Sequence, residues 1–117
     1  MKVYCKVCDL PLTNEIKFYT GKSFGEAEKQ NFIQKEFYTI SDGEFFNGSE
    51  GRIIVNIEDL INSINHTDRS RLNGCCGLDG YDGPNKLCNN KHEVASEFSD
   101  CWMPRAVIFE KEKIILK

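Results

Sequence analysis

The residues of this sequence best suited to chemistry are its cysteines, which occur as Cys5, Cys8, Cys75, Cys76, Cys88 and Cys101. Six thiols in 117 residues restrict that chemistry to a disulfide framework, a metal site or a redox-active site. Charged residues interrupt the first nine positions, so no secretory signal is indicated and we expect a cytoplasmic protein. Because cytosolic thiols stay reduced, we expect these cysteines to bind metal or to be buried rather than to form disulfides.

The pair Cys5 and Cys8 has the spacing of a zinc knuckle. Two residues between the thiols let a turn direct both sulfur atoms at one ion, about 2.3 Å from each. The four later cysteines supply more than the two further thiolates that a tetrahedral zinc ion needs. The spacing therefore predicts a structural zinc site that includes both residues.

The second half of the site is harder to assign, because Cys75 and Cys76 are adjacent. Neighbouring residues of an extended chain point to opposite sides, so we expect only one of them to bind the ion. We favour Cys76, because Gly77 follows it and lets the backbone turn towards the sulfur. The predicted metal ligands are then Cys5, Cys8, Cys76 and Cys88. The alternative ligands are Cys75, Cys101 and His92. The spacing leaves open whether the chain binds one metal ion or two.

Two resemblances accompany these cysteines. The Cys5-x-x-Cys8 pair with its later cysteines resembles zinc-ribbon and treble-clef domains, although those domains usually carry a second Cys-x-x-Cys. Residues 74–88, GCCGLDGYDGPNKLC, and residues 93–102, EVASEFSDCW, resemble a signature near the C terminus of small bacterial proteins of uncharacterised function. The second resemblance implies a bacterial origin and no established activity.

The elements that must position these cysteines include one clear helix. Apolar residues at i, i+3, i+4 and i+7 predict it over residues 57–66, and they are Ile57, Leu60, Ile61 and Ile64. Asn56 is placed to cap its first turn. A weaker apolar stripe favours a second helix over residues 26–37, although residues 32–40 also fit an extended segment.

Short apolar and β-branched runs predict strands at residues 2–8, 16–20, 52–56, 105–109 and 114–116. Phe45 and Phe46 lie between two turn-forming segments, which indicates a hairpin or an exposed loop. We therefore expect residues 1–117 to form a single zinc-binding α+β domain. Its predicted architecture is a small antiparallel sheet with one or two helices, held together by a structural zinc ion.

Charge and hydropathy exclude several function classes. The 15 basic and 18 acidic residues give a formal net charge of −3, which disfavours a basic nucleic-acid module. Apolar runs such as residues 53–55 are far shorter than the roughly 20 residues that span a bilayer. A site made only of thiolates predicts a closed, structural ion rather than a catalytic one.

We therefore expect a protein-interaction, regulatory or inhibitory module whose partner is another protein, with Phe45 and Phe46 as a candidate contact surface. One alternative is a nucleic-acid-binding, zinc-ribbon-like protein that uses Arg69 and Arg71, with Lys86 and Lys91 nearby. A second alternative is a cysteine-dependent enzyme, in which Cys75 or Cys101 is the nucleophile and His66 or His92 the base.

Overall fold

The computed structural model of the chain describes residues 1–20, 31–43 and 45–117. These ranges contain nine β-strands: β1 (Val3–Cys5), β2 (Lys17–Phe18), β3 (Phe37–Ile40), β4 (Ile53–Val55), β5 (Ser63–Asn65), β6 (Lys86–Cys88), β7 (Glu93–Phe98), β8 (Ala106–Phe109) and β9 (Ile114–Leu116). Single 3-10 turns lie at Ile57–Asp59 and Arg69–Arg71. Within the described ranges, no helix is long and apolar enough to cross a membrane.

The strands form two sheets. Seven strands lie in the order β2-β3-β4-β8-β7-β6-β5, and only the β2–β3 pair is parallel. Strands β1 and β9 form a separate antiparallel pair that joins the two ends of the chain. The predicted α+β fold is therefore wrong, because the described part of the chain is built from strands and contains no α-helix.

The segment predicted as the clearest helix, residues 57–66, leaves helical geometry after one turn. The predicted cap does form, because Asn56 Oδ1 accepts a hydrogen bond from the Glu58 N–H at 2.9 Å. The Ile61 N–H then bonds to the carbonyl of Leu12 at 2.8 Å, and Asn62 adopts a φ of 54°. A bond to a distant segment and the pairing of β5 with β6 thus override the helical periodicity.

The second predicted helix, residues 26–37, lies partly outside the described residues. Residues 31–36 are described, and they contain bends and turns rather than helix. Asn31 forms an isolated bridge with Arg105, and Phe37 begins β3. The extended interpretation of residues 32–40 therefore fits the end of this segment, which is a strand.

The core lies on both faces of the central strands, because successive side chains of a strand point to opposite faces. Val55, Val107 and Phe109 face a cluster that also contains the buried thiol residues Cys5 and Cys88. On the other face, Ile54 and Ile108 pack with Phe98 and Met103 against aromatic side chains. The two faces therefore differ in character, with thiols beside one and aromatic rings on the other.

Candidate metal centre

Four potential ligand atoms converge beside the first core face. They belong to Cys5, Cys8, Cys88 and His92, and all four lie within 4.8 Å of one another. The Cys88 sulfur lies 3.8 Å from the Cys8 sulfur and 3.3 Å from His92 Nδ1, and the Cys5 sulfur lies 3.6 Å from the same nitrogen.

These separations would suit a tetrahedral metal site, and zinc gives a numerical comparison. With Zn–S and Zn–N bonds of ordinary length, two sulfurs lie about 3.8 Å apart and a sulfur and a nitrogen about 3.5 Å apart. The observed distances of 3.8, 3.6 and 3.3 Å therefore require little movement of the side chains to accept an ion.

The turn after β1 supplies the first two thiols. Cys5 donates its N–H to the carbonyl of Leu10 at 2.9 Å, and the Asp9 N–H bonds to the carbonyl of Cys5 at 2.8 Å. Asp9 has a φ of 59°, which lets the chain reverse directly after Cys8. Burial raises the pKa of the Cys5 thiol, and the backbone N–H groups of Cys8 and Val7 partly oppose that effect. Backbone donors directed at sulfur favour its thiolate form, as a metal ligand requires.

The hairpin between β6 and β7 supplies the other two ligands. The N–H of Cys88 bonds to the carbonyl of His92 at 2.9 Å, and the N–H of Lys91 bonds to the carbonyl of Cys88 at 2.8 Å. Lys91 has a φ of 68°, so the turn closes tightly. This closure brings the thiol and the imidazole of the two paired residues to the same side of the hairpin.

The two thiols of the β1 turn differ in their acidity. A hydrogen bond from the Asn90 side chain, with a further one from the Leu10 N–H, lowers the pKa of Cys8 to about 6. Burial raises the pKa of Cys5 above its ordinary value. The Cys8 thiol therefore ionises readily near neutral pH. The buried Cys5 thiolate, in contrast, is stabilised most by a bound cation that replaces its proton.

A second group of thiols lies away from this centre, on exposed loops. The sulfurs of Cys75, Cys76 and Cys101 lie within 4.8 Å of one another. The Asp100 carboxylate accepts the N–H groups of Cys75 at 3.0 Å, Cys76 at 2.9 Å and Cys101 at 2.8 Å. It also accepts the Trp102 indole N–H at 3.1 Å. These bonds hold the pKa of Asp100 well below its usual range, the Cys76 N–H contributing most.

The Asp100 carboxylate explains how two adjacent cysteines can face one point. Residues 75–77 form a bend rather than an extended segment, because the N–H groups of Cys75 and Cys76 both turn towards one carboxylate. The contact between Cys76 and Cys101 raises the pKa of Cys101. The expectation that adjacent thiols point to opposite sides assumed an extended chain, and it does not apply to this bend.

The structure therefore divides the predicted ligands between two places. Cys5, Cys8 and Cys88 lie together, and His92 rather than Cys76 is the fourth group beside them. The Cys88-x-x-x-His92 spacing is the sequence signal for this arrangement, since it fits a metal-binding hairpin. Asp100, which orients the second cluster, carried no such signal, because Cys75 and Cys76, which it brings to Cys101, lie 25 and 24 positions away.

An apolar groove opens on the aromatic face of the sheet. It has a volume of about 410 Å³ and is lined by side chains that include Phe45, Phe46, Phe98 and Trp102. The rings of Phe46 and Phe98 stack with a centroid separation of 5.4 Å. Phe45 and Phe46 therefore pack against the core on one side and line the groove on the other.

Arg71 and His66, which were considered for other functions, have structural partners. Arg71 donates to the carbonyl of Pro84 at 3.0 Å and to Glu93 at 3.1 Å. His66 Nε2 lies 2.8 Å from the same glutamate, whose pKa it lowers. His92 lies with Cys5 and Cys88 rather than with Cys75 or Cys101. The cysteine–histidine pairs considered for catalysis with the exposed thiols are thus not assembled.

Comparison of the chain with protein-family models, with curated proteins and with solved structures found no match.

Proposed function

We propose that this chain is a protein-binding module whose fold is held together by a zinc ion bound to Cys5, Cys8, Cys88 and His92. The observation that carries the proposal is the convergence of four ligand atoms within 4.8 Å, with three of their separations between 3.3 and 3.8 Å. Three thiolates and an imidazole are a common ligand set of structural zinc, and thiolates disfavour magnesium and calcium. These four groups complete a tetrahedron, so the ion offers no open position to a substrate.

The proposed ion joins distant parts of the chain. Cys8 and Cys88 are 80 positions apart, and closing a loop of that length costs about 4 kcal/mol of chain entropy. Structural zinc binding returns about 10–16 kcal/mol in favourable peptides, which exceeds that cost. The ion therefore favours the folded arrangement of the β1 turn against the β6–β7 hairpin.

We infer that the aromatic groove is the surface that contacts the partner and that its occupant is an apolar segment of another protein. Three large side chains at the groove are exposed, namely Ile40 by 49%, Tyr81 by 65% and Trp102 by 48%. Aromatic side chains are enriched at the centres of protein interfaces, where they contribute much of the binding energy. Burial of these three side chains against a partner would remove apolar area from water, which favours binding.

The metal assignment is tested by native mass spectrometry of the reduced protein, purified without added metal. We expect the wild-type chain to retain a slowly exchanging zinc ion. We expect His92→Ala to lose that ion and to melt at a lower temperature, because three thiolates leave the coordination incomplete. A wild-type chain that folds and melts identically with and without zinc contradicts the proposal.

The binding assignment is tested with a random peptide library displayed on phage. We expect wild-type protein to select apolar or aromatic peptides, and Ile40→Arg to weaken their binding by at least about tenfold, because a buried charge is costly. Ile115→Arg is the matched control, since Ile115 is also an exposed strand residue but lies on β9. Equal binding by both variants, or no selected peptide, contradicts the assignment.

A further inference from the structure

Three thiols remain outside the proposed zinc centre, and they differ from it in exposure. Cys75 and Cys76 are exposed and Cys101 is half-buried, whereas Cys5 and Cys88 are completely buried. A group of exposed free thiols is a liability for a protein, because exposed thiols oxidise and cross-link. Their convergence to within 4.8 Å therefore calls for a chemical reason.

The cluster is held in place by a buried carboxylate. Asp100 is only 2% exposed, and both of its oxygens accept two N–H groups each. Three of those four donors are the backbone amides of Cys75, Cys76 and Cys101, so one side chain fixes all three thiol-bearing residues. Because both oxygens are occupied, Asp100 is a positioning residue rather than a metal ligand.

Close packing between the two loops adds a second constraint. The N–H groups of Ser99 and Asp100 bond to the carbonyl of Leu78, and the Leu78 N–H bonds to the Ser99 hydroxyl at 3.0 Å. A Cβ at Gly77 would lie 2.3 Å from the carbonyl oxygen of Ser99, so only glycine permits this approach. The loops that carry the three thiols are therefore fixed against each other before any ligand binds.

The arrangement suits a thiophilic metal ion. Three thiolates around one zinc ion lie about 3.8–4.0 Å apart, which small side-chain rotations reach from the observed spacing. Thiolate ligands select zinc and softer ions over magnesium or calcium. A bound cation also offsets the repulsion among three thiolates and the nearby Asp100 carboxylate.

We propose that Cys75, Cys76 and Cys101 form a second metal site, which binds a thiophilic divalent ion such as Zn²⁺ or Cd²⁺ through three thiolates. The fourth coordination position lies on the exposed side and is filled by water or another exogenous donor. This site is independent of the closed centre at Cys5, Cys8, Cys88 and His92. An open position and exposed ligands make its ion exchangeable, whereas the ion of the closed centre exchanges slowly.

The test uses the full chain, fully reduced and loaded with Zn²⁺ alone. We expect two ions per chain by native mass spectrometry, and two phases of zinc transfer to a chromogenic chelator. Cys76→Ser is expected to abolish the fast phase and leave the slow phase unchanged. The slow phase then serves as the internal control for folding, because it reports the closed centre in the same sample.

Cadmium loading provides a second readout, because cadmium–thiolate absorption scales with the number of bound thiolates. Each proposed site contributes three thiolates, so Cys76→Ser or Cys101→Ser should lower the absorption at saturation to about half. One ion per reduced wild-type chain overturns the second site and leaves the closed centre intact. Loss of the slow phase in Cys76→Ser instead overturns both assignments, because it places Cys76 in the slowly exchanging site.

Discussion

At the scale of single residues, the proposed zinc centre depends on hydrogen bonds to its sulfurs as well as on its ligands. The Asn90 side chain donates to Cys8 and is the main cause of that thiol's lowered pKa. Partners of this kind orient metal ligands, and their loss costs about 10–100-fold in metal affinity. Asn90 thus acts on the ion through Cys8.

Replacement of Asn90 tests this dependence. We expect Asn90→Ala to weaken zinc binding at the closed centre by about tenfold, because Cys8 loses a donor that stabilises its thiolate. Competition with a chelator of known affinity measures the change. Asn89→Ala is the matched control, since Asn89 is an exposed neighbour in the same turn. Equal loss in the two variants would show that the turn, and not the Asn90 donor, matters.

Asp100 supports a parallel prediction for the second site. Asp100→Asn replaces one acceptor oxygen by a donor that opposes the backbone N–H groups, so we expect the fast-exchanging ion to bind about 10–100-fold more weakly. The slowly exchanging ion should be unaffected. Asp82→Asn makes the same charge change on a nearby exposed loop, where Asp82 bonds to Asn73. An Asp100→Asn chain that retains wild-type affinity for the fast-exchanging ion contradicts the role of Asp100.

The residues also show how far the cysteine spacing could be interpreted from sequence. Cys5 and Cys8 share a turn because their local spacing permits it, and Cys88 lies beside them. The place of Cys76 was not predictable, because its direction is set by Asp100, 24 positions further along the chain. Local sequence rules predict an extended backbone at the two adjacent cysteines, whereas hydrogen bonds to the distant Asp100 carboxylate bend that backbone.

At the scale of elements, the loop contact at Gly77 permits a clear test. Gly77→Ala places a methyl group against the backbone of Ser99, so we expect a loss of about 1–3 kcal/mol in stability. The separated loops should also bind the fast-exchanging ion more weakly. Thermal melting and zinc transfer measure the two effects.

The control for this change is Gly48→Ala. Gly48 has a φ of 91° and no atom within 4 Å of an added Cβ, so this variant has backbone strain of about 1–2 kcal/mol without a clash. We expect it to lower the melting temperature and to leave both ions in place. If both variants release the fast-exchanging ion equally, loop contact at Gly77 does not support the site.

The strands divide into those that the sequence specified and those that it did not. The β-branched run at residues 53–55 forms β4 and the apolar run at 105–109 contains β8, and all residues of both strands are buried. Residues 57–66 carried a helical period, yet Ile61 bonds to Leu12 and Ser63–Asn65 pairs with β6. The composition of a segment indicates whether it forms a buried strand. It does not indicate which distant segments will form hydrogen bonds with it.

At the scale of the whole molecule, the proposed zinc ion connects the chain ends to the seven-stranded sheet. The β1 turn carries Cys5 and Cys8, and β1 lies with β9 in the separate two-stranded sheet. Cys88 and His92 belong to the larger sheet through β6 and the hairpin to β7. Removal of the ion should therefore loosen the β1–β9 pair before the central strands open.

Hydrogen exchange tests this order of opening. After treatment with a strong chelator, we expect faster amide exchange in β1, β9 and the β6–β7 hairpin, and little change in β4 and β8, which are buried on both faces. Readdition of zinc should restore protection. Uniform acceleration across all strands would instead indicate that the ion supports the whole fold as one cooperative unit.

The separation of the ligands along the chain also sets the timing of assembly during protein synthesis. The Cys5 and Cys8 thiols leave the ribosome 80 or more residues before Cys88 and His92. At about 5–20 residues per second, that interval lasts about 4–16 s, during which two ligands wait without the other two. Each nascent chain therefore passes through a period in which its first thiols are open to competing metals and oxidants.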